Sequence, residues 1–238
     1  MNKKILIIIP AYNEEESIVD VIVSLKNANT KHDIIVINDG SIDMTSKLAK
    51  ETKKAIVIDL PTNIGIGGAV QTGFKYAYRH GYDIAIQFDG DGQHDAGEID
   101  KLIEPIIKEE ADFTIGSRFL GDKKGFQSTF ARRVGIKVFE CVNTFLIKQK
   151  VTDNTSGFRA YNKLAIKLLA HDYPTDYPEP ETVIILGKKG LRIKEVSVLM
   201  HERTGGKSSI NGLQPLYYMT KVLLSIFITY LRKERIVK

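Results

Sequence analysis

The chain has 238 residues, 43% of them hydrophobic and 26% charged, which fits a packed α/β domain and excludes a disordered or collagen-like polypeptide. Its formal charge of +5 comes with no zinc-finger spacing, basic-region heptads or ribonucleoprotein motif, so no nucleic-acid partner is expected, and anionic lipid or phosphate accounts for the excess equally well. Cys141 is the only cysteine; it permits no internal disulfide and favours a cytoplasmic setting.

Lys3-Lys4 leads into Ile5 to Ile9, a run too short for the apolar region of a signal peptide and stopped at Pro10, so it reads as a first strand. Ile34 to Ile37, Ala55 to Ile58 and Ile84 to Phe88 are further short runs rich in branched residues, the pattern of strands buried on both faces. Between them lie segments of helical period, such as Ile18, Val21, Ile22 and Leu25. This alternation predicts an α/β fold with a mostly parallel central sheet flanked by helices. Beyond it, "ADFTIGSRF" reads as a strand and loop, Val134 to Ile147 as a helix, and "TDNTSGFRAYN" as a turn-rich segment. A short helix is expected after Asn162, and Leu191 to Met200 reads as a strand with polar interruptions.

The last part of the chain holds an apolar stretch from Val222 to Leu231, followed by Arg232, Lys233, Arg235 and Lys238. It falls short of the roughly 20 apolar residues that span a bilayer. It suits a helix lying at a membrane surface, or one docked on its own domain. The expected organisation is therefore a main domain of residues 1–212 and a C-terminal amphipathic helix with a basic tail, residues 213–238.

Three strands run into polar clusters: "PAYNEEE", "NDGSID" and "DGDGQHD". In open α/β sheets the ligand crevice lies beyond the carboxyl ends of the strands, so these clusters should converge. Asp89 and Asp91 on a glycine-spaced loop make a hard oxygen site suited to Mg²⁺ or Mn²⁺, to which Gln93 could add a carbonyl oxygen and His94 a nitrogen. Taken alone, the triplet is equally the composition of an ordinary turn. "NIGIGGAVQTG" opens a helix whose amides could face a phosphate, or whose Gly65, Gly67 and Gly68 could serve close packing; both readings stand.

In order along the chain, "IIIPAYNEE", "VINDGSID", "NIGIGGA", "FDGDGQHD", "GSRF" and "TSGFRAYN" resemble family 2 glycosyltransferases, in the branch of dolichyl-phosphate mannose synthase and bacterial polyprenyl-phosphate glycosyltransferases. The resemblance covers roughly residues 5 to 210. It implies a GT-A fold (Rossmann-like, for nucleotide-diphospho-sugars), a divalent metal and inversion at the anomeric carbon. Position by position it implies that Pro10, Tyr12, Glu14 and Asp39 bind the nucleotide, with Asp39 reading the base, and that Gly68 and Asp89 belong to the same donor site. Asp89, Asp91 and Gln93 become the metal set. Arg118 of "GSRF", with Arg132 or Arg133 of "FARR", would hold a lipid phosphate, for which the planar guanidinium fork is suited. Arg159 of "SGFR" would brace the site. Arg203 and Lys207 of "HERTGGKSS" would close over the donor phosphates as a mobile loop.

One departure stands out. Where the mannose synthase pattern has an aromatic followed by a single glutamate, this chain reads "DYPEPET", with Glu179 and Glu181 flanking Pro180. These acids are expected to shape the sugar or acceptor pocket, with general-base duty as the alternative; Asp91, Arg118, Glu179 and Glu181 are the candidate catalytic residues. The expected activity is transfer of a hexose or N-acetylhexosamine from a UDP- or GDP-sugar to a polyprenyl phosphate, feeding cell-surface polysaccharide or glycoconjugate synthesis. The expected place is the inner face of the cell membrane, in contact with the bilayer or a small membrane protein. Transfer to a saccharide hydroxyl, or a non-catalytic subunit that binds sugar nucleotides, are the alternatives.

Overall fold

A computed structural model describes residues 3–28, 31–120, 130–175, 177–201 and 214–232, with side chains omitted at 130–136 and 214–219. The expected β/α alternation is present. β1 (Ile5–Ala11) leads through α1 (Ile18–Asn27) to β2 (Asp33–Asn38), then α2 (Thr45–Glu51), β3 (Ile56–Asp59), α3 (Gly65–Arg79) and β4 (Ile84–Gln87). A 3₁₀ turn (Ala96–Glu98) and α4 (Ile99–Ile107) connect to β5 (Phe113–Ser117), which is followed by α5 (Phe130–Ile147) and β6 (Arg159–Asn162). The chain continues through α6 (Lys163–His171), α7 (Pro178–Lys188) and β7 (Ile193–Ser197) to α8 (Gln214–Leu231).

The seven strands form one sheet in the order β3-β2-β1-β4-β6-β5-β7. All neighbours are parallel except β6, which runs antiparallel to both β4 and β5. This strand lies within the segment read from sequence as turn-rich. Four residues with an arginine at the first position carry no strand pattern of their own, and pairing on both sides makes the strand. The register sets Arg159 opposite Gln87 on one side and Ile115 on the other, in the middle of the sheet.

Side chains alternate across the sheet. Ile84, Ile86 and Phe88 enter the core under α1, α2 and α4, whereas Ala85 points to the face covered by α3, α5, α6, α7 and α8. Gln87 and then Asp89 continue the Ala85 series, so polar groups on that face gather at the end of β4. α8 packs on α7 and α5, with Val222 and Ile226 fully buried against them. No helix among the described residues is long and apolar enough to cross a membrane.

Within the glycine-rich start of α3, Gly67 is explained by packing. A Cβ at Gly67 would lie 2.5 Å from the Pro174 carbonyl oxygen, so α3 meets the 174–175 backbone directly. The first amides of the helix are already capped: Ile64 N donates to Asp39 Oδ1 at 2.8 Å and Gly65 N to Asn63 Oδ1 at 3.1 Å. Backbone against backbone cannot yield by a rotamer change. Gly67→Ala should therefore cost about 1–3 kcal/mol through forced separation of α3 from this loop, read as a lowered urea midpoint; an unchanged midpoint would contradict the close approach.

Candidate functional site

The carboxyl ends of β1, β2 and β4 enclose a cleft of about 460 Å³. Pro10, Tyr12 and Glu14 line it from the β1 loop, Asp39 from the β2 loop, and Asp89, Gly90 and Asp91 from the β4 loop. Asn63, Gly65, Ile66 and Ala69 close one side, and Thr155, Gly157 and Glu179 another. Three segments far apart in sequence thus converge, as the ends of parallel strands require.

Hydrogen bonds fix these loops to one another. Ser17 Oγ donates to the Gly90 carbonyl at 2.7 Å, tying the β1 loop to the acidic loop. Asn13, at φ +54°, accepts from Ile42 N at 3.0 Å and donates its own amide to Ser41 Oγ at 3.0 Å, tying β1 to β2; asparagine tolerates this left-handed geometry better than most residues. On the far side of the acidic loop, His201 N donates to the Gln93 carbonyl at 2.8 Å, and His94 bridges to Met200.

Asp89 is the most constrained of the acids. Its Oδ2 lies 3.0 Å from His94 Nε2, and the His94 ring stacks on Phe158 at 5.0 Å. A Cβ at Gly157 would come within 2.3 Å of Asp89 Oδ2, so only glycine leaves room for the carboxylate. Burial works against the charged form, yet the His94 hydrogen bond, the field of His94 and the Arg159 guanidinium outweigh it and hold the Asp89 carboxyl below its usual range. Its side chain remains 31% exposed. Asp91 Oδ1 accepts from Gln93 N at 3.1 Å, and the carboxylate shares the cleft.

Arg159 is fully buried and binds three backbone carbonyls: Ser156 O at 2.6 Å, Glu179 O at 2.7 Å and Asn154 O at 2.8 Å. It acts on Asp89 and on Glu179 through charge alone. The neighbouring Gln87 is also fully buried, its Oε1 accepting from Tyr173 Oη at 3.4 Å while its Nε2 forms no complete hydrogen bond.

The two acids of "PEPE" part company. Both sit in the first turn of α7, which starts at Pro178, where acids favour the helix dipole. Two residues apart they are about 200° apart around the axis, so they cannot face the same site. Glu179 lines the cleft, where burial first, and then the charge of Asp89, push its carboxyl above the usual range against the opposing pull of Arg159. Glu181 turns away, accepting from Tyr177 N at 3.2 Å, from Thr229 Oγ1 at 2.8 Å and from Ser225 Oγ. Of these two acids, Glu179 lines the cleft, and the bonds of Glu181 run to the α7 N-cap and to α8.

Arg118 is anchored by a buried acid. It binds the fully buried Asp153, with Nε–Oδ2 at 2.8 Å and Nη2–Oδ1 at 2.7 Å, and Nη2 also reaches Thr155 Oγ1 at 2.8 Å. Arg118 thus holds the Thr155 wall of the cleft through Nε and Nη2. Gly68 lies outside the cleft lining, its Cβ direction facing the Ile64 side chain, and Gln93 also lies outside it. Arg132 and Arg133 belong to α5 without described side chains, and Arg203 and Lys207 lie outside the described residues. Sequence reasoning missed Gln87, a polar residue in an apolar run, and Gly157, which stood unused inside "TSGFRAYN".

Among the described residues no three histidine, cysteine or acidic side chains are grouped to hold a metal. The donor set is the Asp89 and Asp91 carboxylates: hard, anionic and open to a cleft. This fits a divalent cation such as Mg²⁺ or Mn²⁺ that takes few protein ligands and completes its shell with phosphate oxygens and water, and it does not fit zinc.

The family model described as glycosyl transferase family 2 matches residues 6–169. The UDP-N-acetylglucosamine–dolichyl-phosphate N-acetylglucosaminyltransferase of Methanococcus voltae is 38% identical over 215 residues, covering 83% of this chain and 85% of that one. The undecaprenyl-phosphate mannosyltransferase of Micrococcus luteus is 30% identical over 216 residues, covering 88% of each. Among solved structures, glucosyl-3-phosphoglycerate synthase from Mycobacterium tuberculosis, in complex with Mn²⁺, UDP-glucose and phosphoglyceric acid, superposes with a TM-score of 0.73 at 18% identity, covering 98% of this chain and 81% of that one.

The geometry of Glu179 has a measurable consequence in metal-free protein. Because its folded pKa is raised above the ordinary 4.5, its stabilising contribution is complete below the unfolded value and is lost as pH rises through the folded one. Glu179→Gln should remove that loss. In chelator, the variant should melt higher than the parent at pH 7 and show a flatter decline of stability as pH rises above 4.5; identical melting curves at both ends would contradict a desolvated carboxyl at this position.

Proposed function

The chain belongs to glycosyl transferase family 2 and has the GT-A fold, and we propose that it moves a sugar from a UDP- or GDP-sugar to a polyprenyl phosphate. The observation that carries this reading is the convergence of Pro10, Tyr12 and Asp39 with Asp89 and Asp91 on one cleft. It supplies a nucleoside pocket and a diphosphate pocket side by side. Relatives that act on dolichyl and undecaprenyl phosphates support the choice of acceptor.

In this mechanism Pro10, Tyr12 and Asp39 hold the nucleoside, and Asp89 and Asp91 would hold Mg²⁺ or Mn²⁺. When bound, the cation supplies positive charge against the diphosphate as it departs. An acceptor phosphate monoester, with a second pKa of about 6, is largely ionised near neutral pH and needs no base. Its oxygen forms a bond to the anomeric carbon as the bond to the diphosphate oxygen breaks, which inverts that carbon. Glu179 and Thr155 bound the space for the sugar, Gly157 leaves Asp89 room, and Arg159 balances the acids. Catalysis is then mainly positioning and electrostatics. Residues 1–212 carry the chemistry, and the segment 213–238, which contains α8, meets the inner face of the cell membrane, or a small protein in it. Leu224, Phe227, Ile228 and Leu231 form an exposed apolar stripe there, followed by basic residues.

A second reading, transfer to a saccharide hydroxyl, is favoured by the Glu179 carboxylate in the cleft, since a hydroxyl needs a base. Radiolabelled UDP-N-acetylglucosamine, UDP-glucose and GDP-mannose, each with polyprenyl phosphate and Mn²⁺ or Mg²⁺, test the first reading. One donor should yield labelled glycolipid, Asp91→Ala should abolish the product while leaving the circular dichroism intact, and Glu179→Gln should retain transfer to the lipid. Near-normal turnover by Asp91→Ala would remove the metal assignment, and loss of about a hundredfold or more with Glu179→Gln would favour the hydroxyl acceptor.

A further inference from the structure

The bonds of Glu181 are out of keeping with the seam in which they lie. α7 and α8 pack through apolar side chains, with Val183, Ile184, Val222 and Ile226 all fully buried. Into this seam Glu181 inserts a carboxylate whose Oε1 accepts from the Ser225 hydroxyl and the Tyr177 amide, and whose Oε2 accepts from Thr229 Oγ1. Ser225 and Thr229, four residues apart, lie on one stripe of α8. A carboxylate here costs desolvation that an apolar residue would not. What it adds is direction: two donors on α8, Ser225 and Thr229, fix its rotation and height against the first turn of α7, while the Tyr177 amide holds the carboxylate from the start of α7 itself. A second latch holds the other end, where Lys188 Nζ donates to the Tyr230 carbonyl at 2.6 Å and the Arg232 carbonyl at 3.2 Å.

The same turn of α7 carries the cleft wall. Glu179, two residues before Glu181, lines the cleft and gives its carbonyl to Arg159, which also holds Ser156 and Asn154. Away from Ser225 and Thr229 around α8, the stripe of Leu224, Phe227, Ile228 and Leu231 is 51–72% exposed. A bonded path therefore joins an outward apolar face to the wall of the site. The occupant we assign to that face is a bilayer, because the sequence following Leu231 adds Arg232, Lys233, Arg235 and Lys238, cations that complement anionic headgroups.

We propose that Glu181 is a positioning residue that couples the seating of α8 on a lipid surface to the placement of Glu179 and Arg159 at the cleft, so that transfer runs faster on a bilayer than in solution. This rests on the lipid-phosphate reading above. It gives Glu181 a role through α8, with no contact to substrate.

The chain contains no tryptophan, so Phe227→Trp creates a single emitter on the outer face of α8. In this full-length background, Glu181→Met removes the acceptor. Glu181→Met with Ser225→Ala and Thr229→Val removes both sides of the bonds to α8 and leaves neither hydroxyl without its acceptor, which protects folding. Each protein is given phosphatidylglycerol vesicles carrying polyprenyl phosphate, and separately a water-soluble short-chain prenyl phosphate. The emission shift on vesicles should be the same in all three proteins. The ratio of kcat on vesicles to kcat in solution should fall about tenfold in both variants, with the KM for the nucleotide sugar unchanged within about twofold. Equal losses on both acceptors, or an unaltered ratio, would overturn the coupling. An emission shift lost with the ratio would overturn it too, making Glu181 a determinant of membrane binding. Lack of lipid-linked product from the Phe227→Trp parent, with transfer to another acceptor intact, would overturn the lipid reading itself and this inference with it.

Discussion

Arg159 is a full guanidinium buried in the middle of a β-sheet with no carboxylate bonded to it. Burying an isolated charge costs several kcal/mol. Here the cost is met by three carbonyls, each bond to a charged donor contributing about 1.5–3 kcal/mol, and by the fields of Asp89 and Glu179. The arrangement works in both directions. The carbonyls come from the 154–156 loop and from the first turn of α7, so the cation binds two loops to the sheet. The carboxylates, which would repel one another across the cleft, are balanced from beneath.

Around this centre the site departs from what stability alone would choose. Gln87 keeps an amide nitrogen without a complete hydrogen bond in the floor of the sheet. Glu179 is held where its charge is disfavoured, and the Asp89 carboxylate lies where a Cβ at Gly157 would clash with it. Such local costs collect where function needs them. They are offset by the surroundings: Asp153 is bonded by both Arg118 and the backbone, and Glu195 accepts from Thr152 N at 2.9 Å and Asp153 N at 2.7 Å, closing the same loop against β7.

Most of the first half of the fold was legible because its strands are continuous apolar runs and its helices keep a clean period. Asp89, Asp91, Asp39 and Tyr12 were legible for a related reason, since polar residues at the ends of parallel strands have one place to go. The second half was not legible in the same way. β6 is a strand by virtue of β4 and β5 on either side, and nothing local in "RAYN" says so. The pairing of Arg118 with Asp153, 35 residues away, is invisible to spacing. The parting of Glu179 and Glu181, by contrast, was present in the sequence: two residues apart in a helix, only one of them can face a given site.

The cleft, its acids and the cation beneath them make one electrostatic unit, and the most direct test is where a metal goes. Crystals soaked with Mn²⁺ and the matching nucleoside diphosphate, measured at the manganese absorption edge, should show one strong anomalous peak in the cleft. It should lie within coordination distance of the Asp89 or Asp91 carboxylate, with the diphosphate beside it and Arg159 still on its three carbonyls. A peak elsewhere on the chain, or nucleotide bound in the cleft with no metal between it and those carboxylates, would contradict the account.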